Sequence, residues 1–401
     1  MVPRAEIENK NIPEEIWEEV LFQTLYDPVL FDVYDYTGAL LPQEVADKRR
    51  TESCRALCGR RASLSLVCRQ WSRIAKPLLR IICLGYRHTT YPLTSSLGLP
   101  LEALHCFDAA NDLPTSFVLP CCRRLRALTY RRISSSDILE APFRSHLQYL
   151  DMGWWGFSTT FSLQVIQTHF PRLVFLSVPW GYWQSVEDNH WEMRELQILV
   201  LRPIPCMLYR ESSHWHLPRL KHLALRLYSE HDLDKFTRII HSFGPFLSSL
   251  RIQSVNELII PSSWWKSLPN LHTLSVSLSV APQAPIFASA MRRIFLDELA
   301  HSSAEVGNRS LDWIISISSV HPLTVRFNSI NFKERFSTPL GAAFLRSPAI
   351  EFFRAVVDPA RNGSHLLIDR WDDLIAYGMR IEDVGGLSIE EARNLQEFRG
   401  H

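Results

Sequence analysis

The segment LVFLSV at residues 173–178 has leucine at its first and fourth positions and an apolar residue at its sixth. Seven other segments align with it without gaps, with starts 22–27 residues apart, and all keep both leucines. The full set is LEALHC (101), LRALTY (125), LQYLDM (147), LVFLSV (173), LQILVL (196), LKHLAL (220), LSSLRI (247) and LHTLSV (271). LLRIIC at 79 fits one step earlier, with Ile82 and Leu84 inward. Such a period is typical of strand-and-return units that stack to bury a shared leucine ladder.

A proline stands two residues before the leading leucine in four units, at Pro171, Pro218, Pro245 and Pro269. Proline at this place ends the returning segment and starts the next strand. Two returns, FSLQVIQTHF at 161–170 and DLDKFTRIIHSF at 232–243, have the pattern of helices, whereas IPSSWWKSLPN at 260–270 is short and irregular. We therefore expect an α/β fold, with a parallel sheet and helical or irregular returns.

The leucine pattern resembles the leucine-rich-repeat family, whose core reads L-x-x-L-x-L-x-x-N/C-x-L. The resemblance covers about residues 100–280 and implies a leucine-rich-repeat-like solenoid. This chain departs from the family where asparagine usually follows the strand. The residues there are Ala109, Ile133, Trp155, Gly181, Ile204, Tyr228, Val255 and Ser279. The family's hydrogen-bonded asparagine ladder is therefore absent.

Residues 281–401 continue the pattern less regularly. FASAMRRIFLDELAHS at 287–302 predicts a helix, and SLDWIISISS and PLTVRF could be further strands. The tail LSIEEARNLQEF has Ser388 and Glu391 three residues apart, as in a capping box, and predicts a short terminal helix.

Two amphipathic segments precede the repeats. In SLSLVCRQWSRIAKPLLRII at 63–82, apolar residues recur every three or four positions from Leu64 to Leu78, which predicts one helix. In NIPEEIWEEVLFQTL at 11–25, Pro13 suits a first helical turn. The predicted apolar face of that helix holds Ile16, Val20, Leu21, Thr24 and Leu25.

Together these segments resemble the F-box, whose pattern is roughly L-P-x-E-I, an apolar helix, and L-x-x-V-C-[RK]-x-W. The matching residues are Ile12, Pro13, Glu15 and Ile16, then Leu64, Val67, Cys68, Arg69 and Trp71. An insert at 26–62 separates the two blocks, as in large fungal F-box families, and could add a helix at 43–58 and lengthen the second one. We expect an F-box-like helical domain at 1–80, the repeat solenoid at 81–280, and its less regular continuation at 281–401.

F-box proteins bind the Skp-type adaptor of a cullin–RING (SCF-type) ubiquitin ligase through these helix faces, and their C-terminal domain recruits the target. The resemblance therefore implies a substrate-recognition subunit that is not itself an enzyme. The implied adaptor-binding residues are Ile12, Pro13, Ile16, Val20, Leu21, Leu64, Val67, Cys68 and Trp71. Three other interpretations stay open: helices that only cap the solenoid, a leucine-rich-repeat scaffold outside any ligase, and an enzyme in the C-terminal third.

The opposite face of the sheet is the predicted target-binding surface. With repeat positions one, four and six inward, positions three, five, seven and eight face the concave side. Aromatic residues and arginines dominate there, and such residues often anchor interfaces or pair with acidic or phosphorylated segments. Plain solvation of the charged residues is the alternative. The predicted target-binding residues are Arg131, Arg132, Tyr149, Trp154, Phe175, Trp180, Arg202 and Arg226.

Composition and motifs limit the partners, the cellular compartment and the chemistry that we expect for this protein. The net charge of +1 favours neither nucleic acid nor a membrane as a partner, and no apolar run has the length of a signal peptide or membrane span, so we expect a cytoplasmic or nuclear protein. Gly-rich phosphate loops, G-x-S-x-G and H-E-x-x-H are absent from the sequence. Cys54 and Cys58 have no second pair at zinc-finger spacing, so we expect neither metal nor cofactor.

Overall fold

The computed structural model of the chain forms two compact units, Met1–Gly38 with Gln43–Ser158, and Ala39–Pro42 with Thr159–His401. The residues that it describes are 13–25, 27, 43–78, 82–84, 106–109, 119–123, 125–130, 140–152, 163–180, 191–203, 215–227, 229–254, 256, 258–277, 280–282, 290–297, 324–327, 379–382, 387–388 and 391.

Three helices open the first unit: α1 (Glu14–Leu25), α2 (Gln43–Val67) and α3 (Arg69–Leu78). Pro13 directly precedes α1, and its carbonyl oxygen accepts hydrogen bonds from the backbone N–H groups of Ile16 (3.1 Å) and Trp17 (3.3 Å). The predicted helix at 43–58 is confirmed as part of the 25-residue α2, which extends to Val67.

The prediction of one continuous helix through residues 64–78 is wrong, because the chain breaks at Cys68. The Cys68 sulfur accepts a hydrogen bond from the Trp71 N–H (3.4 Å), and the Cys68 carbonyl accepts one from the Ser72 N–H (3.0 Å). Cys68 therefore acts as the N-cap of α3, a role in which the side chain satisfies a donor that has no partner inside the helix.

Four parallel strands of the first unit pair in chain order: β1 (Ile82–Leu84), β2 (Cys106–Ala109), β3 (Ala127–Tyr130) and β4 (Tyr149–Met152). The backbone register pairs Phe107 with Leu128 and Cys83 with Phe107. The gapless alignment had instead placed Leu104 beside Leu128, so the predicted register of LEALHC is wrong by three residues. The prediction that Ile82 and Leu84 share the leucine row is wrong for the same reason. An odd shift exchanges the two faces of a strand.

The remaining strands belong to the second unit. They are β5 (Phe175–Trp180), β6 (Trp191–Glu192), β7 (Ile198–Pro203), β8 (Trp215–His216), β9 (His222–Leu227), β10 (Ser249–Ser254), β11 (Leu258–Ile260), β12 (Thr273–Ser277), β13 (Val280–Pro282), β14 (Arg293–Asp297), β15 (Thr324–Phe327) and β16 (Arg380–Glu382). A parallel sheet runs in the order β5-β7-β9-β10-β12-β14-β15-β16. Two small parallel pairs, β6 with β8 and β11 with β13, lie in the returns.

The leucine ladder is confirmed wherever its side chains are described. In the units from 125 to 271, the leucines at the first and fourth positions are at most 1% exposed. Their fourth-position leucines pair in register, for example Leu199 with Leu223 and Leu250 with Leu274. The described sixth-position residues, from Met152 to Val276, are at most 3% exposed. Each strand thus buries one face against the returns, as in other parallel sheets covered by crossover segments.

The four prolines all lie where a return ends, as predicted. Around Pro171, Pro218 and Pro269, the N–H of the leading leucine donates to the carbonyl three residues back, at 3.2–3.3 Å. Pro245 occupies the same place in the turn from Gly244 to Leu247. Proline suits the second residue of such a turn because its φ angle is already close to the required value. The same four-residue turn therefore starts strand after strand.

Helical returns form where the sequence predicted them. α4 (Leu163–His169) and α5 (Glu230–Phe243) confirm the two expected helices, and the return at 260–270 contains only a five-residue helix, α6 (Ser262–Lys266). Trp264 of α6 is 0% exposed, and its indole N–H donates to the Thr237 hydroxyl of α5 at 2.7 Å. Large aromatic side chains thus fill the space between returns of unequal length.

The predicted helix over 287–302 is wrong at its centre, where Arg293–Asp297 forms β14. In MRRIFL at 291–296, Met291 and Ile294 take the ladder positions and are at most 1% exposed. Pairing on both sides, with β12 and β15, outweighs the local helix preference of this segment. PLTVRF is confirmed as β15, whereas SLDWIISISS lies outside the described residues.

The capping box in the tail is confirmed by two hydrogen bonds. The Ser388 N–H donates to the Glu391 carboxylate (2.8 Å), and the Glu391 N–H donates to the Ser388 hydroxyl (3.1 Å). The bond from the Ser388 backbone lowers the pKa of Glu391 below its usual value, and nearby Arg380 adds to the effect. The residues after Glu391 lie outside the described part of the chain.

Candidate functional site

Four exposed apolar side chains lie on the first two helices and form what we call the apolar helix surface. They are Ile16 and Val20 on α1, and Leu66 and Val67 at the end of α2, with 52%, 43%, 86% and 59% of their surfaces exposed. Six large apolar side chains are exposed in the described part of the chain, and these are four of the six. Large apolar side chains left exposed in this number on two helices are typical of surfaces that another molecule covers.

The position of α1 follows from the spacing of its apolar residues. Leu21 and Leu25 are one turn apart and almost fully buried, at 0% and 2% exposure. Ile16 and Val20, also one turn apart, lie on another side of the helix and face outward. The Trp17 and Trp71 rings stand 5.1 Å apart, so the contact joins the two matching sequence blocks. The predicted single apolar face is therefore divided into a buried side and an exposed side.

The structure separates the predicted adaptor-binding residues into three groups. Pro13, Ile16, Val20, Val67 and Cys68 are exposed, Leu64 and Trp71 are half-buried, and Leu21 is buried in the unit. Ile12 lies outside the described residues.

Leu66 is the most exposed of the four apolar side chains, and the sequence pattern did not select it. It stands two positions after Leu64, outside the spacing of three or four that marked the predicted helix face. It lies one residue before the end of α2 at Val67, a boundary that the sequence pattern did not place.

The predicted target-binding residues also differ in how exposed they are. Tyr149 (1% exposed) and Phe175 (4%) are buried, so neither offers an accessible aromatic anchor in this arrangement. Arg202 and Arg226 are half-buried. Trp180 ends β5, but its side chain is not among those described, and Arg131, Arg132 and Trp154 lie outside the described residues.

One partly accessible stretch of this sheet face lies on β7, β9 and β10, and we call it the arginine window. Val200, Ala224, Gln253, Arg202 and Arg226 are half-buried there, and Arg251 beside them is 7% exposed. On the flanking strands, Phe175 and Ser177 of β5 and Ser275 of β12 lie on the same face and are at most 4% exposed. Further along this face, Thr273 of β12 is half-buried, and Arg293 of β14 and Arg380 of β16 are exposed.

His222 lies on the same face of β9, between Ile198 of β7 and Ser249 of β10. Its Nδ1 atom is buried and has no hydrogen-bond partner. Burial lowers the pKa of His222 below its usual value of 6.5, and the positive charge of Lys221 lowers it further. The imidazole is therefore neutral in the folded protein near pH 7.

The lowered pKa of His222 predicts a pH-dependent stability. As the pH falls below about 6.5, the unfolded chain takes up a proton that the folded chain resists, so this residue contributes a loss of stability toward pH 5. We expect the variant His222→Leu to lose less unfolding free energy than the wild type between about pH 7 and pH 5. Urea titrations at both pH values measure the change, and equal losses in the two proteins would contradict the assignment.

The described residues hold no group of three or more His, Cys, Asp or Glu side chains that could bind a metal ion. Within the same part of the chain, no helix combines the length and the apolar character needed to cross a membrane.

No family model matches the sequence, and no curated protein matches it. A function is therefore assigned from the residues of this chain.

Proposed function

We propose that this chain is the substrate-recognition subunit of an SCF-type, cullin–RING ubiquitin ligase. Its F-box-like helices bind the Skp-type adaptor, which connects it to the cullin, and its repeat array binds a target protein. The observation that carries the proposal is the concentration of exposed apolar side chains on α1 and α2, the helices that hold or adjoin both matching motifs.

The helices have the two properties that such docking needs. Leu21, Leu25 and Leu57 on these helices are buried, and the Trp17 ring contacts the Trp71 ring, so the exposed side chains stand on packed helices. Burying one leucine side chain such as Leu66 contributes about 1.5–3 kcal/mol. The surface also borders the exposed carboxylates Glu15 and Glu19, which would form a polar rim around an apolar centre.

A leucine-rich-repeat-like solenoid is the architecture we propose for the repeats. The register of the ladder leucines, the repeated turns before several strands and the parallel order of the sheet all support it. Parallel stacking of such units creates an extended strand face, which repeat proteins commonly use for binding.

In this proposal the chain performs no chemistry. It would hold a target lysine near ubiquitin that is activated elsewhere in the ligase, and the gain in rate comes from proximity and orientation. The alternative is a leucine-rich-repeat interaction scaffold that does not join a ubiquitin ligase.

A direct binding experiment separates the two functions. The purified full-length chain is mixed with a Skp-type adaptor at micromolar concentration and analysed by size-exclusion chromatography and calorimetry. A one-to-one complex, together with co-precipitation of the cullin from cells, is the expected result. If the two proteins elute separately over this range, the scaffold is the better assignment.

A further inference from the structure

Ser63 lies on α2 beside the apolar helix surface. It is exposed, and it precedes Leu66 and Val67 by three and four positions. Residues at these spacings share one side of a helix, with Cβ atoms about 5–6 Å apart. Leu66 and Val67 are 86% and 59% exposed, so a group attached to the Ser63 oxygen would stand next to the two most exposed side chains of that surface.

Two arginines precede Ser63 in RRASL at 60–64, three and two positions before it. Basic residues at these positions, followed by an apolar residue after the serine, form the charge pattern that basophilic serine/threonine kinases select with acidic substrate clefts. The two arginines recur before Ser134 in RRISS at 131–135, where a serine takes the place of the apolar residue. That second segment lies outside the described residues.

The end of α2 has little to hold it closed. From Gly59 to Val67 no described side chain is buried, whereas Leu57 just before this segment is 2% exposed. Glycine weakens a helix interior, and the Ser63 hydroxyl donates to the Gly59 carbonyl at 3.2 Å, a local bond that slightly destabilises helices. Since little burial opposes it, unwinding of these last turns needs little free energy, and it lets a kinase align the hydroxyl with a γ-phosphate.

The modification transfers the γ-phosphoryl group of ATP to the Oγ atom of Ser63. The Oγ–P bond forms, and the bond from the γ-phosphorus to the oxygen that bridges it to the β-phosphate breaks. The hydroxyl proton passes to the catalytic aspartate of the kinase, and ADP leaves. The phosphoserine then carries about −1.5 to −2 charges at pH 7.

A phosphate on Ser63 would oppose docking at the apolar helix surface. It places charge beside side chains that lose their water in a complex, and burying an unpaired charge is costly. It also lies near the C-terminal end of α2, where the helix dipole disfavours a further negative charge. In addition, it competes with the Asp27 carboxylate for Arg60, whose Nη2 atom is 3.2 Å from Asp27.

We propose that Ser63 is a phosphorylation site for a basophilic kinase, and that phosphate at this position prevents adaptor binding. The modification itself depends only on α2 and the residues before Ser63. Its effect on the adaptor rests on the proposed function.

The modification is tested on the purified full-length chain. The chain is incubated with cyclic-AMP-dependent protein kinase, a basophilic enzyme, and magnesium ATP, and its tryptic peptides are analysed by mass spectrometry. We expect phosphate on Ser63 in the peptide 62–69. Arg61→Ala removes one recognition arginine but leaves the pair of Arg60 with Asp27, and it should lower the initial rate at least tenfold. If Ser63 stays unmodified, whether or not Ser134 is phosphorylated, the proposal is overturned.

The effect on docking is measured by calorimetry with a Skp-type adaptor. We expect the phosphorylated chain to bind at least tenfold more weakly than the untreated chain, about 1.4 kcal/mol. The matched control is Ser63→Ala treated with the same kinase, which should bind as untreated wild type does. An equal loss in the treated Ser63→Ala protein would place the effect at another site and contradict the proposal. Circular dichroism checks that each sample is folded.

The two measurements separate this inference from the proposed function. If the untreated chain binds the adaptor and phosphate on Ser63 leaves the affinity unchanged, the regulatory inference is wrong and the proposed function stands. If the untreated chain does not bind the adaptor, the proposed function fails and the regulatory effect falls with it, whereas the Ser63 site is decided by mass spectrometry alone.

Discussion

Changing Ile16 and Val20 together to aspartate is expected to abolish capture of the Skp-type adaptor while leaving the protein folded. Both side chains are about half exposed in the free chain, so the change buries no charge there. In the complex the two carboxylates would be buried against an apolar partner without a counter-charge, which is far more costly than burying a neutral polar group. We expect affinity to fall at least a hundredfold, equivalent to about 2.8 kcal/mol.

The unfolding free energy of the same double variant should change by less than about 1 kcal/mol, as is usual for surface substitutions. A matched control is the double change Phe246→Asp with Ile259→Asp, because these side chains are 63% and 50% exposed but lie in the second unit. The control should bind the adaptor normally. Calorimetry measures both affinities, and undiminished binding by the Ile16/Val20 variant would refute docking through the apolar helix surface.

Replacing Gly244 by alanine should destabilise the second unit by about 3 kcal/mol, near the upper end of typical overpacking effects. Gly244 ends α5 in ordinary right-handed helical geometry, so its backbone angles do not require glycine. The requirement is spatial, since an added Cβ would overlap the backbone oxygen of Ser267 and lie 3.0 Å from its carbonyl carbon. Backbone atoms of the neighbouring return would have to move apart.

Gly59→Ala provides the matched comparison for Gly244. Gly59 lies inside the exposed part of α2, with nothing within 4 Å of an added Cβ. Because alanine favours helix more than glycine does, this change should stabilise α2 by about 1 kcal/mol. Urea denaturation followed by tryptophan fluorescence measures both variants. A neutral Gly244→Ala substitution would show that the returns are not packed as closely as described.

The leucine ladder and the turns before the strands could be predicted from the sequence alone. A strand alternates its faces every two residues, so Leu176 and Val178 mark the ladder face of β5, and Leu173 is the buried leucine of the turn before it. Prolines such as Pro171 mark the turns because their own φ angle restricts the backbone. The capping box of Ser388 and Glu391 is equally local, since both partners lie within one helical turn. These features need only neighbouring residues, and the leucines and prolines among them recur in several units.

Features that depend on distant partners were decided by the tertiary structure. Segment 291–296 has a helical pattern in its sequence, but it becomes a strand because β12 and β15 supply hydrogen bonds on both sides. The register of β2 follows from its pairing with β1 and β3, which the leucines at 101 and 104 do not determine. The exposed positions of α1 follow from packing against Trp71, more than forty residues away in the chain. The sequence therefore determined which residues are apolar and how they repeat, whereas packing between distant segments decided which of them remain exposed for a partner.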